Sequence, residues 1–254
     1  MVFVVSGVFL AISILLIWYL ISYEKGPKEP KKALWSPFWF GILAIIVSPE
    51  IDTLLFGSIE SLESATLPVL FSSSLGTGLI EELFKFAPLA WYIYKKNYFS
   101  EHSDGIIYFA ICGLTFGFFE NLSYTLIYGV EVGLVRLILV PIFHGATTGI
   151  LGYFLARQKI GGGSSTKTLL ALVLIGLMHG MYNFGMGSGV TVYWMISLMI
   201  TLLFVIGLFL FYSESKKRDM LLGLSASGPN DYCKYCGKRN VNRSVYCEYC
   251  GKRL

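Results

Sequence analysis

Charge is scarce in this chain. Of its 254 residues 14% are charged and 55% hydrophobic, where a soluble domain carries about 25% charged residues. That shortfall excludes an ordinary soluble globular enzyme, and a mean hydropathy of +0.64 agrees. Lysine and arginine are missing from three loop stretches, around 58–65, 128–133 and 186–189. Cysteine is nearly absent before residue 233, Cys112 alone excepted, and reads there as a small core residue. No HExxH occurs, which excludes the helical zinc-protease signature built on that motif. The first apolar segment, residues 1–23, lacks a basic leader and a small-residue cleavage site, so it is expected to be a retained helix.

What is present are apolar runs of membrane-crossing length. Seven spans are expected, at about 1–23, 34–56, 65–94, 105–129, 132–156, 168–188 and 190–212. In hydrocarbon the backbone must satisfy its own hydrogen bonds, so the spans are helices. The fold class is an all-α polytopic membrane protein, resident in the cell membrane in contact with its lipid. The basic residues orient it. Lys25, Lys28, Lys31 and Lys32 lie in one loop, Lys95 and Lys96 in another, Arg157, Lys159 and Lys167 in a third, and Lys216, Lys217 and Arg218 follow the last span. Positive loops stay in the cytoplasm, which puts the N-terminus outside and the C-terminal tail inside. A net charge of +4 spread this way argues membrane topology, and nucleic acid is not an expected partner.

The tail divides into a linker at 213–230 and a small module at 231–254. Cys233-x-x-Cys236 and Cys247-x-x-Cys250 supply four thiolates, the tetrahedral set of a closed structural zinc site. So small a module builds little apolar core, and the metal would provide most of its folding energy. Two disulfides are the alternative, which a reducing cytoplasm opposes. The module carries Lys234, Lys238, Arg239, Arg243, Lys252 and Arg253, suited to anionic lipid or a cytoplasmic protein partner.

Charges in a bilayer centre are costly and need a partner or a purpose. Four spans carry such groups: Glu81, Glu82 and Lys85 in the third, Phe116 and Glu120 in the fourth, His144 in the fifth, His179 and Asn183 in the sixth. Counted along alternating directions, Glu81, Glu82, His144 and His179 share mid-span depth, with Glu120 a few residues toward the outer side. Lys85 faces Glu81 at i,i+4 and Glu82 at i,i+3, so it can neutralise one carboxylate and leave the other. Gly113/Gly117, Gly145/Gly149 and Gly176/Gly180 let helix backbones approach closely around this layer. Arg136 is expected to snorkel or pair with Glu131 or Glu120, Glu50 and Asp52 to be solvated, and His102 to sit in a loop without a role.

Taken in order, Glu81-Glu82-x-x-Lys85, Phe116-x-x-x-Glu120, His144 and His179-x-x-x-Asn183 resemble the motifs of the PrsW family of intramembrane proteases, over residues 72–187. Glu120 stands where the related prenyl-protein endopeptidases have histidine, which favours PrsW. The resemblance implies a protease domain over 1–212 that hydrolyses a peptide bond in or near a membrane-spanning protein substrate. Two mechanisms suit the residues. Glu120, His144 and His179, with Glu81 or Glu82, could bind catalytic zinc or another divalent metal that activates water. Or Glu81 could act as general base without metal, with His179 and Asn183 donating to the oxyanion. Non-proteolytic alternatives are a scaffold binding transmembrane helices and a proton-coupled transporter.

Overall fold

The computed structural model describes residues 7, 8, 10, 11, 14, 15, 18, 31–57, 65–137, 139–222, 235, 236, 247 and 249–252. The span expected over 1–23 lies largely outside the described residues; those within it, among them Leu10 and Trp18, are helical and exposed.

Seven helices follow: α1 Lys31–Phe56, α2 Leu67–Ile93, α3 His102–Tyr128, α4 Val130–Arg136, α5 Leu139–Ile160, α6 Ser165–Gly187 and α7 Thr191–Leu221. No strand occurs among the described residues. Five of them, α1, α3, α5, α6 and α7, are long and apolar enough to cross a bilayer. α2 is as long as α3, at 27 residues, but carries Glu81, Glu82 and Lys85 within little more than one turn. The chain is a polytopic membrane protein.

One expected span is two helices. The segment 132–156 breaks between α4 and α5. Gly129, at φ +94°, ends α3 in a conformation glycine adopts readily and turns the chain into α4. Pro141 then requires a restart, because proline is tolerated in a helix's first turn and breaks its interior. α5 begins at Leu139 and keeps Pro141 in that first turn.

α3 and α5 form the centre of the bundle and are its most buried helices. They pack backbone against backbone: a Cβ on Gly113 would lie 2.1 Å from the His144 carbonyl oxygen. α2 and α6 meet in the same way, where a Cβ on Gly78 would lie 2.3 Å from the Gly180 nitrogen. Only glycine permits approaches this close, and they bring the polar faces of both helix pairs within hydrogen-bond reach. α1 and α7 flank the bundle and expose Trp35, Trp39, Ile46, Leu202 and Leu203, as suits lipid contact.

α7 runs on to Leu221, well into the stretch read as linker, and the reason is a buried clasp. Asp219, fully buried, accepts from the His102 backbone N–H at 2.7 Å, His102 Nδ1 at 2.8 Å, the Ser103 backbone N–H at 3.0 Å and Ser103 Oγ at 2.9 Å. Asp104 accepts from the backbone N–H groups of Ser100 and Glu101 at 2.8 and 2.7 Å. Asp219 thereby fills the first two orphan donors of α3, and a capping box in which Glu101 accepts from the Asp104 N–H fills the third, all at the positive end of its dipole. His102 is thus a buried helix-start residue and not a loop residue without a role.

Candidate active site

α2, α3, α5 and α6 each turn polar side chains into one hydrogen-bonded network. Lys85 Nζ donates to Glu82 Oε1 at 2.7 Å and lies 3.7 Å from Glu81 Oε2. Across to α5 it stands 2.9 Å from His144 Nδ1. His144 Nε2 is 2.6 Å from Glu120 Oε2 on α3, and Arg136 Nη2 on α4 donates to Glu120 Oε1 at 2.5 Å. On α6, His179 Nδ1 is 2.9 Å from Glu82 Oε1, while its Nε2 is 3.5 Å from Glu81 Oε2. The ring of Phe116 packs under Lys85 Nζ, 4.4 Å from its centroid, and against the His144 ring at 4.9 Å.

The network assigns the histidine tautomers. An ammonium has donors and no acceptor, so His144 Nδ1 accepts from Lys85 and its Nε2–H donates to Glu120. Glu82 is a carboxylate acceptor, so His179 donates its Nδ1–H there and turns the Nε2 lone pair toward Glu81. Each imidazole is therefore held from behind by a carboxylate and presents its other nitrogen to the interior of the cluster.

The two adjacent glutamates have opposite surroundings. Glu82 is fully buried and takes four hydrogen bonds, from Lys85, His179, Thr147 Oγ1 at 2.9 Å and Thr148 Oγ1 at 3.2 Å. Glu81 takes none, and its Oε2 is buried without a hydrogen-bond partner. Leaving a buried carboxylate oxygen unpaired is costly, more so than for a neutral group. An orphan of that kind calls for an explanation in a ligand or a reaction.

A divalent cation fits here once the Lys85 ammonium gives up His144 Nδ1. Glu81, His144 and His179 each offer a donor atom within 4.8 Å of the others. Metal-ligating histidines usually give their second N–H to a carboxylate or carbonyl, which Glu120 and Glu82 receive here. In this geometry Glu120, expected among the ligands, stands behind His144, and Glu81 is the carboxylate in the donor group. Asn183 is half-buried, one turn beyond His179, and stands outside the hydrogen-bonded set.

Three participants, Thr147, Thr148 and Asp52, went unread in the sequence. Thr147 and Thr148 follow His144 at i+3 and i+4, a spacing that could have placed them on its face. Arg136, expected to snorkel or to pair with Glu131 or Glu120, pairs with Glu120 and does so from a helix too short to span. Asp52, expected in solvent, is half-buried on α1, beside Thr77 and close enough to act electrostatically on Glu81.

In the tail, Cys236, Cys247 and Cys250 bring their sulfurs within 4.8 Å of one another, and Cys236 and Cys247 Sγ are 3.6 Å apart. That is far from a disulfide and near the roughly 3.8 Å edge of a tetrahedron with Zn–S bonds of about 2.3 Å. Tyr249 N–H points at Cys247 Sγ at 3.4 Å, and Gly251, at φ +69°, turns the loop back onto the Cys247 carbonyl. These residues fit zinc. Cys233 lies outside the described residues.

The chain is similar in sequence to several known proteins. Protease PrsW of Bacillus subtilis is 28% identical over 184 residues, covering 72% of this chain and 82% of that protein. Protease PrsW of Oceanobacillus iheyensis is 36% identical over 107 residues, 42% of this chain and 50% of that protein. Protease PrsW of Geobacillus kaustophilus is 27% identical over 179 residues, 70% of this chain and 76% of that protein. No solved structure matches. Residues 29–211, which contain the whole polar network, match the family described as "PrsW family intramembrane metalloprotease", and the chain belongs to the PrsW family of proteases.

Proposed function

We propose that this chain is an intramembrane endopeptidase whose reacting carboxylate is Glu81. One observation carries the reading: the Glu81 carboxylate accepts no hydrogen bond while the carboxylates of Glu82 and Glu120 are both tied down, and it faces the Nε2 of His179. A group held ready without a partner is what water activation needs, whereas a purely structural ion-pair cluster would be closed.

A divalent metal would be held by Glu81, His144 and His179. When bound, it would supply Lewis acidity toward the scissile carbonyl and lower the pKa of water in the site. The chain's own residues supply the rest. Glu82 and Glu120 fix the tautomers and ring planes of His179 and His144. Glu81 offers one oxygen to the donor group, and the other takes the proton of the attacking water and returns it to the leaving amine. Lys85 balances the charge of the adjacent carboxylates, and Asn183 is placed one turn from His179 to donate to the developing oxyanion. Burial of the cluster among Phe116, Phe143 and Tyr182 excludes bulk water and strengthens these interactions. The substrate is a membrane-spanning protein. The tail is a cytoplasmic zinc ribbon whose Cys233, Cys236, Cys247 and Cys250 hold a structural ion and whose basic face meets a protein partner.

The test is cleavage in nanodiscs of a library of single-span peptides, read by mass spectrometry, with wild type, His144→Ala and His179→Ala. Wild type is expected to cut and both variants to fall at least roughly 100-fold. Cleavage undiminished in both variants contradicts the assignment, and peptide binding without products would favour a scaffold.

A further inference from the structure

We infer that Arg136 is a positioning residue of the reaction centre, so that the site is completed by the short helix α4 and not by spanning helices alone. The inference rests on the protease reading above and extends it to a residue outside the motif set.

α4 has seven residues and is exposed on most sides, with Glu131, Val132, Leu134 and Val135 open to the surroundings. Its one buried residue is Gly133. There the helix is stapled to α3: Asn121 Nδ2 donates to the Gly133 carbonyl at 3.3 Å, and a Cβ on Gly133 would lie 2.2 Å from Thr125 Oγ1. Asn121 and Thr125 flank the face of α3 that carries Glu120 and Tyr124. Arg136, three residues past the staple, thus reaches back to the site. Its guanidinium lies 3.8 Å from the centroid of the Tyr124 ring and ion-pairs with Glu120, and 12% of its side chain is exposed. Of the two candidate partners, Glu131 shares its helix and stays exposed, so the choice of Glu120 is made by the fold.

The consequence runs through Glu120. Its two oxygens have one donor each, Arg136 on Oε1 and His144 on Oε2. With Arg136 in place the carboxylate is clamped on one side and free to accept His144 Nε2–H on the other, which turns His144 Nδ1 inward. Three carboxylates, Glu81, Glu82 and Glu120, face two cations, Lys85 and Arg136, across this network. Removing the arginine leaves Glu120 with a single donor and the imidazole with a loosened anchor. Carboxylates that orient a histidine from behind typically contribute 10- to 100-fold, and Arg136 holds such a carboxylate.

The experiment uses the full chain in nanodiscs and begins with histidine side-chain 15N spectra, which three histidines make assignable. Wild type is expected to show His144 as the Nε2–H tautomer and R136Q to show mixed tautomers at that residue alone, with R136K between them. A His144 signal unchanged in R136Q and R136K overturns the inference whether or not any peptide is cut, so failure of the protease reading is told apart from failure of this one. In the cleavage assay R136Q is expected to lower kcat by roughly 10- to 100-fold with KM unchanged. Combined with E120Q it should be no worse than E120Q alone. Multiplying effects, or a change confined to KM, would mean that Arg136 acts directly on substrate and would overturn the positioning role.

Discussion

Two buried polar clusters in this bundle use the same residue types toward opposite ends. At the end that carries the basic loops, Asp219 ties α7 to the start of α3 and accepts four hydrogen bonds. In the middle of the bundle, Glu81 accepts none, and its buried Oε2 has no hydrogen-bond partner. Both carboxylates have a histidine at hand, His102 in the first cluster and His179 in the second. Presence of a buried Asp/Glu–His pair therefore does not identify chemistry. What separates these two is how each is satisfied: four donors close Asp219, which holds the fold, while Glu81 accepts no hydrogen bond and is open to a reactant. The same division appears within a single motif, where Glu82 is closed by Lys85, His179, Thr147 and Thr148 while its neighbour is not.

The comparison can be broken most severely at Glu82. Replacing it with alanine strips Lys85 of its nearest anion and His179 of its acceptor, both fully buried, and removal of one partner from such a pair is destabilising by about 3–5 kcal/mol. Thermal unfolding in detergent should show a large drop in Tm and cleavage should vanish with it. A Glu82→Ala protein of wild-type stability would mean that the carboxylate is not the scaffold of the site.

Asp219→Ala tests the other cluster. Four buried donors, two of them backbone N–H groups in the first turn of α3, lose their acceptor, and the expected loss is about 2–4 kcal/mol. The folded fraction should keep its cleavage rate, since the clasp lies at the opposite end of α3 from Glu120. Loss of rate at unchanged stability would move Asp219 into the functional machinery. Gly113→Val probes what joins the two regions. The added atoms meet the His144 carbonyl on α5, and overpacking of this kind costs about 1–3 kcal/mol while displacing His144. Stability and activity should fall together. At the small end, Arg218→Ala removes only a half-exposed i,i+4 pair with Glu214 and should change stability by less than about 0.5 kcal/mol.

Much of the centre was legible because it is local. Glu81, Glu82 and Lys85 share a helix face by spacing alone, and the common depth of the histidines follows from counting along spans. What stayed hidden depends on contacts distant in sequence or on small departures from regular helix. The Asp219–His102 pairing joins residues 117 apart, and the polar run after residue 213 resembles a linker until its buried Ser215 and Asp219 are seen. The break before α5 hid that Arg136 reaches Glu120 from a separate short helix, because an apolar window does not show that Pro141 must fall in a first turn. Asp52 near the end of an apolar helix looked solvated because only the fold brings Thr77 and Glu81 beside it. The motif also gives both glutamates equal standing. Their difference is made by the hydroxyls of Thr147 and Thr148, which approach Glu82 from α5.

The most direct test of that difference is the single-span peptide cleavage rate of Glu81→Gln, with Tm recorded on the same nanodisc sample. Because Glu81 makes no hydrogen bond in the network, the expected result is a Tm at or above wild type and a rate reduced by roughly 10²- to 10⁴-fold. A rate within about threefold of wild type at unchanged Tm would show that the open carboxylate is not the one that reacts.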